Sequence, residues 1–248
     1  MNALTILTAA LALGALGDNK NSKDETTGTI QGQVLWEGKK PAPKPDISIS
    51  KEEQTKGCHD HGEMKLKDNT LLIDAKGGVA NVVMTIKAAG VTPKIPSEPF
   101  VVDQMGCRFS PHVVVIPKGA TVKFANSDGT THNVHTFPKK NKPENKNVAG
   151  GNSMEQVLDK AETIPVKCDV HPWMKGFIFV TDATHYAVSD ENGNFKIENL
   201  PAGDYTVNWW HEELGKGKAE KKISVTAGGT AELVHKVGAK KKKKKRRR

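Results

Sequence analysis

A thiol, an imidazole and a thioether follow one another at three-residue spacing in Cys168-Asp-Val-His171-Pro-Trp-Met174. Two more imidazoles stand upstream in Thr131-His132-Asn133-Val134-His135. A thiolate is a soft, strong donor, imidazole serves both Cu(I) and Cu(II), and a thioether closes a site without binding hard. Cys, two His and a weak axial Met together select copper and tune it for one-electron transfer. The spacing therefore predicts one copper ion held by Cys168, His171, Met174 and one upstream histidine. Cys-x2-His alone would carry little weight, because a free Cys is often just a small buried hydrophobe. Four donors gathered in two short segments single these residues out.

His132 and His135 compete for the remaining position, since residues three apart on a regular strand face opposite sides. His-Asn-Val at His132 resembles the plastocyanin pattern. Cys-x2-His-x2-Met, with Pro after the His, resembles the short ligand loop of amicyanin. The segment is thus similar to the cupredoxins. The resemblance implies a Greek-key β-sandwich around a single Cu(I)/Cu(II) ion, with His132 as first ligand and His135 as a surface or loop residue. It implies that Asn133 stiffens the site and that its backbone amide bonds the Cys168 sulfur. It also implies that His171 reaches the surface as the electron entry point, with Pro172 and Trp173 in an apolar patch that docks a redox protein partner.

The elements that must position these residues read as strands. Phe100-Val-Val, His112 to Ile116, Thr121 to Phe124, Val134 to Phe137, Ser153 to Leu158, Glu162 to Val166 and Phe177 to Val180 are short apolar or alternating runs separated by turn sequences. Residues 138–152, rich in Asn, Lys and Gly, read as a mobile loop. Gly28 to Trp36 and Asn81 to Lys87 are strands further upstream. After Thr181, Asp-x-Asn-Gly-x-Phe195 and Leu200-Pro-Ala-Gly-x-Tyr205 resemble the carboxypeptidase regulatory-like, transthyretin-type sandwich. Its usual opening, Gly-x-Ile-x-Gly-x-Val, stands far upstream at Gly28 to Val34. The fold class expected is all-β, a cupredoxin sandwich plus a smaller transthyretin-like one. The smaller sandwich is expected to be split into residues 28–97 and 182–238, with the copper domain, 98–181, between its halves; three modules in a row are the alternative arrangement.

Composition narrows the function classes. Net charge is +9, but Lys240 to Arg248 are all basic, so the body is close to neutral. The pI therefore does not indicate a fold that binds specific nucleic acid. The tail, 239–248, reads as disordered, with contact to an anionic surface as its functional option. Residues 1–17 fit a secretory signal peptide and 18–27 a flexible leader, placing the protein in the periplasm or at the cell surface. Of three cysteines, Cys168 is assigned to copper, which leaves Cys58 and Cys107 as a disulfide pair suited to an oxidising compartment. Cys58-His59-Asp60-His61, with Glu63 and Met64 nearby, lacks the remaining ligands of a closed metal site and reads as a loop. His112 is a structural or supporting histidine; His185, His211 and His235 stand alone. No His-Cys-His or repeated His-x-His framework accompanies the loop, so the count favours an exported, monomeric electron carrier over a copper enzyme. A copper-buffering module would use the same four ligands.

Overall fold

The computed structural model describes residues 26–49, 65–219 and 222–238. The expected signal peptide, nearly all of the leader, the loop at 58–61 and the basic run 240–248 lie outside the described residues. Among the described residues every regular element is a strand, so the all-β expectation holds.

Residues 100–181 build two facing sheets. Asn145–Val148, His132–Thr136, Glu162–Lys167, Lys175–Thr181 and Val113–Pro117 lie side by side in one; Ser153–Leu158, Ala120–Asn126, Phe100–Gln104 and Phe109–Ser110 form the other. Ala120–Asn126 alternates buried and half-buried positions, the period-two pattern of a strand with one face on the core. Phe109, Ile116, Phe124, Ile164 and Ile178 fill the space between the sheets. Asn145–Val148 corrects the reading of 138–152 as a loop. It pairs antiparallel with His132–Thr136, placing Val148 opposite His132. Three of its four side chains are exposed, so this edge strand carries no alternation that a sequence could display.

A second sandwich surrounds the first in sequence. Thr27–Trp36 lies between Asn194–Pro201, antiparallel, and Thr230–Val237, parallel. Val83–Ile86 lies between His185–Val188 and Asn208–His211. The chain thus leaves this sandwich after Ile86 and re-enters it at His185. Its core has its own apolar set, including Ile30, Val34, Met84, Ile197 and Leu200. At the Asn192-Gly193 turn, the Asp190 carboxylate accepts bonds from the amides of Asn192 and Asn194 at 2.9 and 2.8 Å, and Gly193 takes a φ of 79° that side chains disfavour.

The two sandwiches share a third apolar cluster. Val113–Pro117 is buried at all five positions. Val114 and Ile116 point into the first core. Val113 and Val115 join Val83, Phe177, Phe179, Tyr186, Val188 and Trp210 between the sandwiches. A strand covered on both faces reads as a continuous apolar run rather than an alternating one, which is what Val-Val-Val-Ile is. Beside Phe177, His112 forms a buried pair with Glu212 of the second sandwich, and its ring also lies 3.1 Å from the Lys175 carbonyl and from Asn69 Nδ2. His112 therefore sits at the junction, tying the exit of the 168–174 loop to the neighbouring sandwich.

His211, next to Glu212, is 1% exposed. Burial, reinforced by the nearby His112, brings its pKa down to about 4. The unfolded chain takes up this proton near pH 6.5 and the folded chain only near pH 4, so stability is highest above pH 6.5 and declines between the two values. The contribution lost across that window is about 3 kcal/mol. Urea unfolding at a series of pH values should show His211→Gln declining less steeply than the parent between pH 6.5 and 4. Parallel curves would remove His211 from the account.

Candidate metal centre

The site lies where two strand ends meet one loop. His132 opens the strand His132–Thr136, and the 168–174 loop joins Glu162–Lys167 to Lys175–Thr181. The loop is closed by its own backbone: the Met174 amide donates to the His171 carbonyl at 2.9 Å, and the Cys168 amide to the Met174 carbonyl at 3.3 Å. Cys168, His171, Met174 and His132 are all at most 2% exposed. The Met174 side chain belongs to the same buried cluster as Cys168.

Three of these side chains converge closely. His132 Nδ1 and His171 Nδ1 are 2.9 Å apart, and His171 Nδ1 is 3.8 Å from Cys168 Sγ. The sulfur receives the backbone amides of Asn133 at 3.3 Å and His171 at 3.4 Å. Burial alone would push the Cys168 thiol up. The bonds from His132, His171 and the two amides outweigh it and bring the thiol down to about 6. This is the environment of a thiolate ligand. His132 is driven two ways as well: burial lowers its pKa, while the Asp128 carboxylate and the Cys168 sulfur raise it, and the net direction is upward.

The two upstream histidines are placed differently. His135 lies on the outside, 3.0 Å from both Asp169 oxygens and stacked on Phe137 with ring centres 4.1 Å apart. Asn133 does more than present its amide. Its Nδ2 donates to Asn145 Oδ1 at 2.7 Å, and its Oδ1 accepts from the Asp169 amide at 3.3 Å, so it ties His132–Thr136 to both the edge strand and the loop.

Two features differ from the expectations. His171 is 1% exposed and its buried Nε2 meets no hydrogen-bond partner among the described residues, so this ring does not reach the surface. The partly buried Trp173, its ring centre 5.2 Å from that of His171, lies beside it instead. The other is Asp128, which stands in Asn126-Ser-Asp-Gly129, one of the turn sequences between strands. Its carboxylate is fully buried, 2.7 Å from His132 Nε2, and accepts the amides of Gly106 at 2.7 Å and Cys107 at 2.9 Å. No residue-type pattern marks it; the only signal is an acid four positions before a candidate ligand.

Cys107 also approaches the site. Its sulfur is 4.0 Å from His132 Nε2, and Cys107, His132 and His171 are the one group of three described metal-binding residue types whose donor atoms all lie within 4.8 Å of one another. Cys107 is disulfide-bonded, however, whereas Cys168 is free. A disulfide sulfur carries no thiolate charge, and this one lies on the Nε2 side of His132, already held by Asp128. The free Cys168, near the paired Nδ1 atoms, is the better thiolate donor. Cys58 lies outside the described residues.

Residues 99–181 match copper binding proteins of the plastocyanin/azurin family. Residues 164–233 match polysaccharide lyase family 4, domain II, which is not the transthyretin-type family expected for the second sandwich. Similar solved structures include a copper-containing nitrite reductase from Thermus scotoductus SA-01, 28% identical, covering 39% of this chain and 25% of that one, with a TM-score of 0.33. A purple cupredoxin from Nitrosopumilus maritimus is 28% identical over 30% of this chain and 82% of its own, with a TM-score of 0.27. Amicyanin from Paracoccus versutus is 21% identical over 40% of this chain and 97% of its own, with a TM-score of 0.31. This chain thus spans a quarter of the length of the nitrite reductase. No protein with a curated description matches the chain. The family match and the paired sheets support a cupredoxin-like domain within residues 99–181.

Proposed function

We propose that this protein is an exported electron carrier with one mononuclear type 1 copper, held by His132 Nδ1, His171 Nδ1 and Cys168 Sγ with Met174 as the weak fourth ligand. The observation that carries the reading is the free, buried Cys168 sulfur, receiving two backbone amides beside two imidazole Nδ1 atoms 2.9 Å apart. The donor set fits the ion: one soft sulfur and two imidazoles suit copper in both oxidation states. Copper bound there supplies a one-electron couple. The protein supplies a dry, braced pocket, so little has to move when the charge changes. With the His171 edge buried, Trp173 is the side chain through which a redox protein partner would couple to the centre. A disulfide between Cys107 and Cys58 accords with export. The basic run 240–248 offers contact with anionic surfaces.

Addition of Cu(II) to the metal-free protein should produce an intense absorption band at about 600 nm that bleaches reversibly on one-electron reduction. A colourless protein that binds only Cu(I) would replace the carrier by a copper buffer, and catalytic turnover of nitrite by the loaded protein would make it an enzyme.

A further inference from the structure

We infer that Asp128 is a positioning residue that sets the redox preference of the copper centre, an inference that rests on the function proposed above. The carboxylate lies 2.7 Å from His132 Nε2, with both side chains fully buried. It is not free to turn away: Gly106 N donates to Oδ1 at 2.7 Å and Cys107 N to Oδ2 at 2.9 Å, while its own amide donates to Asn126 Oδ1 at 3.0 Å. Asn126 is anchored in turn through Nδ2 to the carbonyls of Thr130 and Val148, both at 2.8 Å. Val148 stands opposite His132 in the sheet. The carboxylate, the turn that carries it and the strand that carries His132 therefore form one closed hydrogen-bonded unit.

Two consequences follow from the chemistry. An acceptor fixed at Nε2 requires the proton there, which leaves the Nδ1 lone pair as the donor facing Cys168 and His171. A buried anion on the far side of the ring also makes that imidazole a stronger donor and favours the more highly charged state of whatever ion it holds. Asp128 thus acts through His132 and biases the centre toward Cu(II). Among the described residues no acceptor meets the buried Nε2 of His171. The two imidazoles are consequently unequal donors, with His132 the stronger.

Asp128→Asn tests this in the copper-loaded protein. The affinity for Cu(II) relative to Cu(I) should fall by tenfold or more, which for a one-electron couple is a rise in reduction potential of about 59 mV or more. A folded, blue variant with an unshifted potential would overturn the inference and leave the copper reading standing. Absence of a blue band from the parent protein would overturn both. A second measurement needs no variant: in the Cu(I)-loaded parent, nitrogen-15 NMR should find a downfield, slowly exchanging proton on His132 Nε2 and none on Nδ1. A His132 Nε2 without that proton would refute the assignment even if Asp128→Asn fails to fold.

Discussion

Cys168→Ser is expected to abolish the visible band on Cu(II) addition while leaving the protein folded. The band requires charge transfer from a thiolate, and a serine hydroxyl at this position offers a hard, neutral oxygen. Affinity for Cu(I) should fall by more than the roughly 10–100-fold that loss of an outer-shell partner costs, because a direct donor is removed. Folding should survive, since serine is nearly isosteric and can still accept the amides of Asn133 and His171 that now end on the sulfur. Cys107→Ser is the informative companion. Its sulfur is also close to His132 and His171, but it is disulfide-bonded and lies beside Nε2. Blue colour should persist in Cys107→Ser and vanish in Cys168→Ser. The opposite result would transfer the thiolate role to Cys107 and overturn the ligand set.

The ligand loop was legible in sequence because its chemistry is written in residue types that have few other reasons to coincide. Cys168, His171 and Met174 stand in a single loop, so no tertiary information was needed to group them. His132 needed more, because His135 is chemically identical and three residues away; only the burial of one and the Asp169 contact of the other separate them in space. Asp128 was not legible at all. An acid in an Asn-Ser-Asp-Gly turn is ordinarily a turn former, and its role depends on the amides of Gly106 and Cys107, twenty-odd residues earlier, arriving at the same point. The burial of His171 was hidden for a similar reason, since exposure depends on what the rest of the fold lays over a loop. The long-range pairing of Thr27–Trp36 with strands near the C-terminus could be anticipated only because turn sequences after Thr181 lacked the opening strand they usually have.

That pairing leads to the second large effect expected. Gly32 lies mid-way along Thr27–Trp36, opposite Phe195 on one side and Leu233 on the other. A Cβ at this position would stand 1.8 Å from the Leu233 carbonyl oxygen and 2.6 Å from its carbon. Both atoms belong to the backbone of a paired strand, so no side-chain rotation relieves the clash. Gly32→Ala must therefore force the central strand away from Thr230–Val237, at a cost of about 4 kcal/mol or more, beyond ordinary overpacking. The damage should stay on one side of the molecule. Among the described residues every strand of the two sheets that carry the metal site pairs only with strands of the same segment, 100–181, and those sheets have their own apolar core. Three of the four tryptophans, Trp36, Trp209 and Trp210, belong to the second sandwich, and Trp173 stands at the metal site. In Gly32→Ala, tryptophan fluorescence should report unfolding at markedly lower denaturant, while the copper band persists to higher concentration. Loss of both signals together would mean that the shared cluster around Val113, Phe177 and Trp210, with the buried His112–Glu212 pair, binds the two sandwiches into one cooperative unit. The metal site would then depend on a strand about a hundred residues upstream of His132.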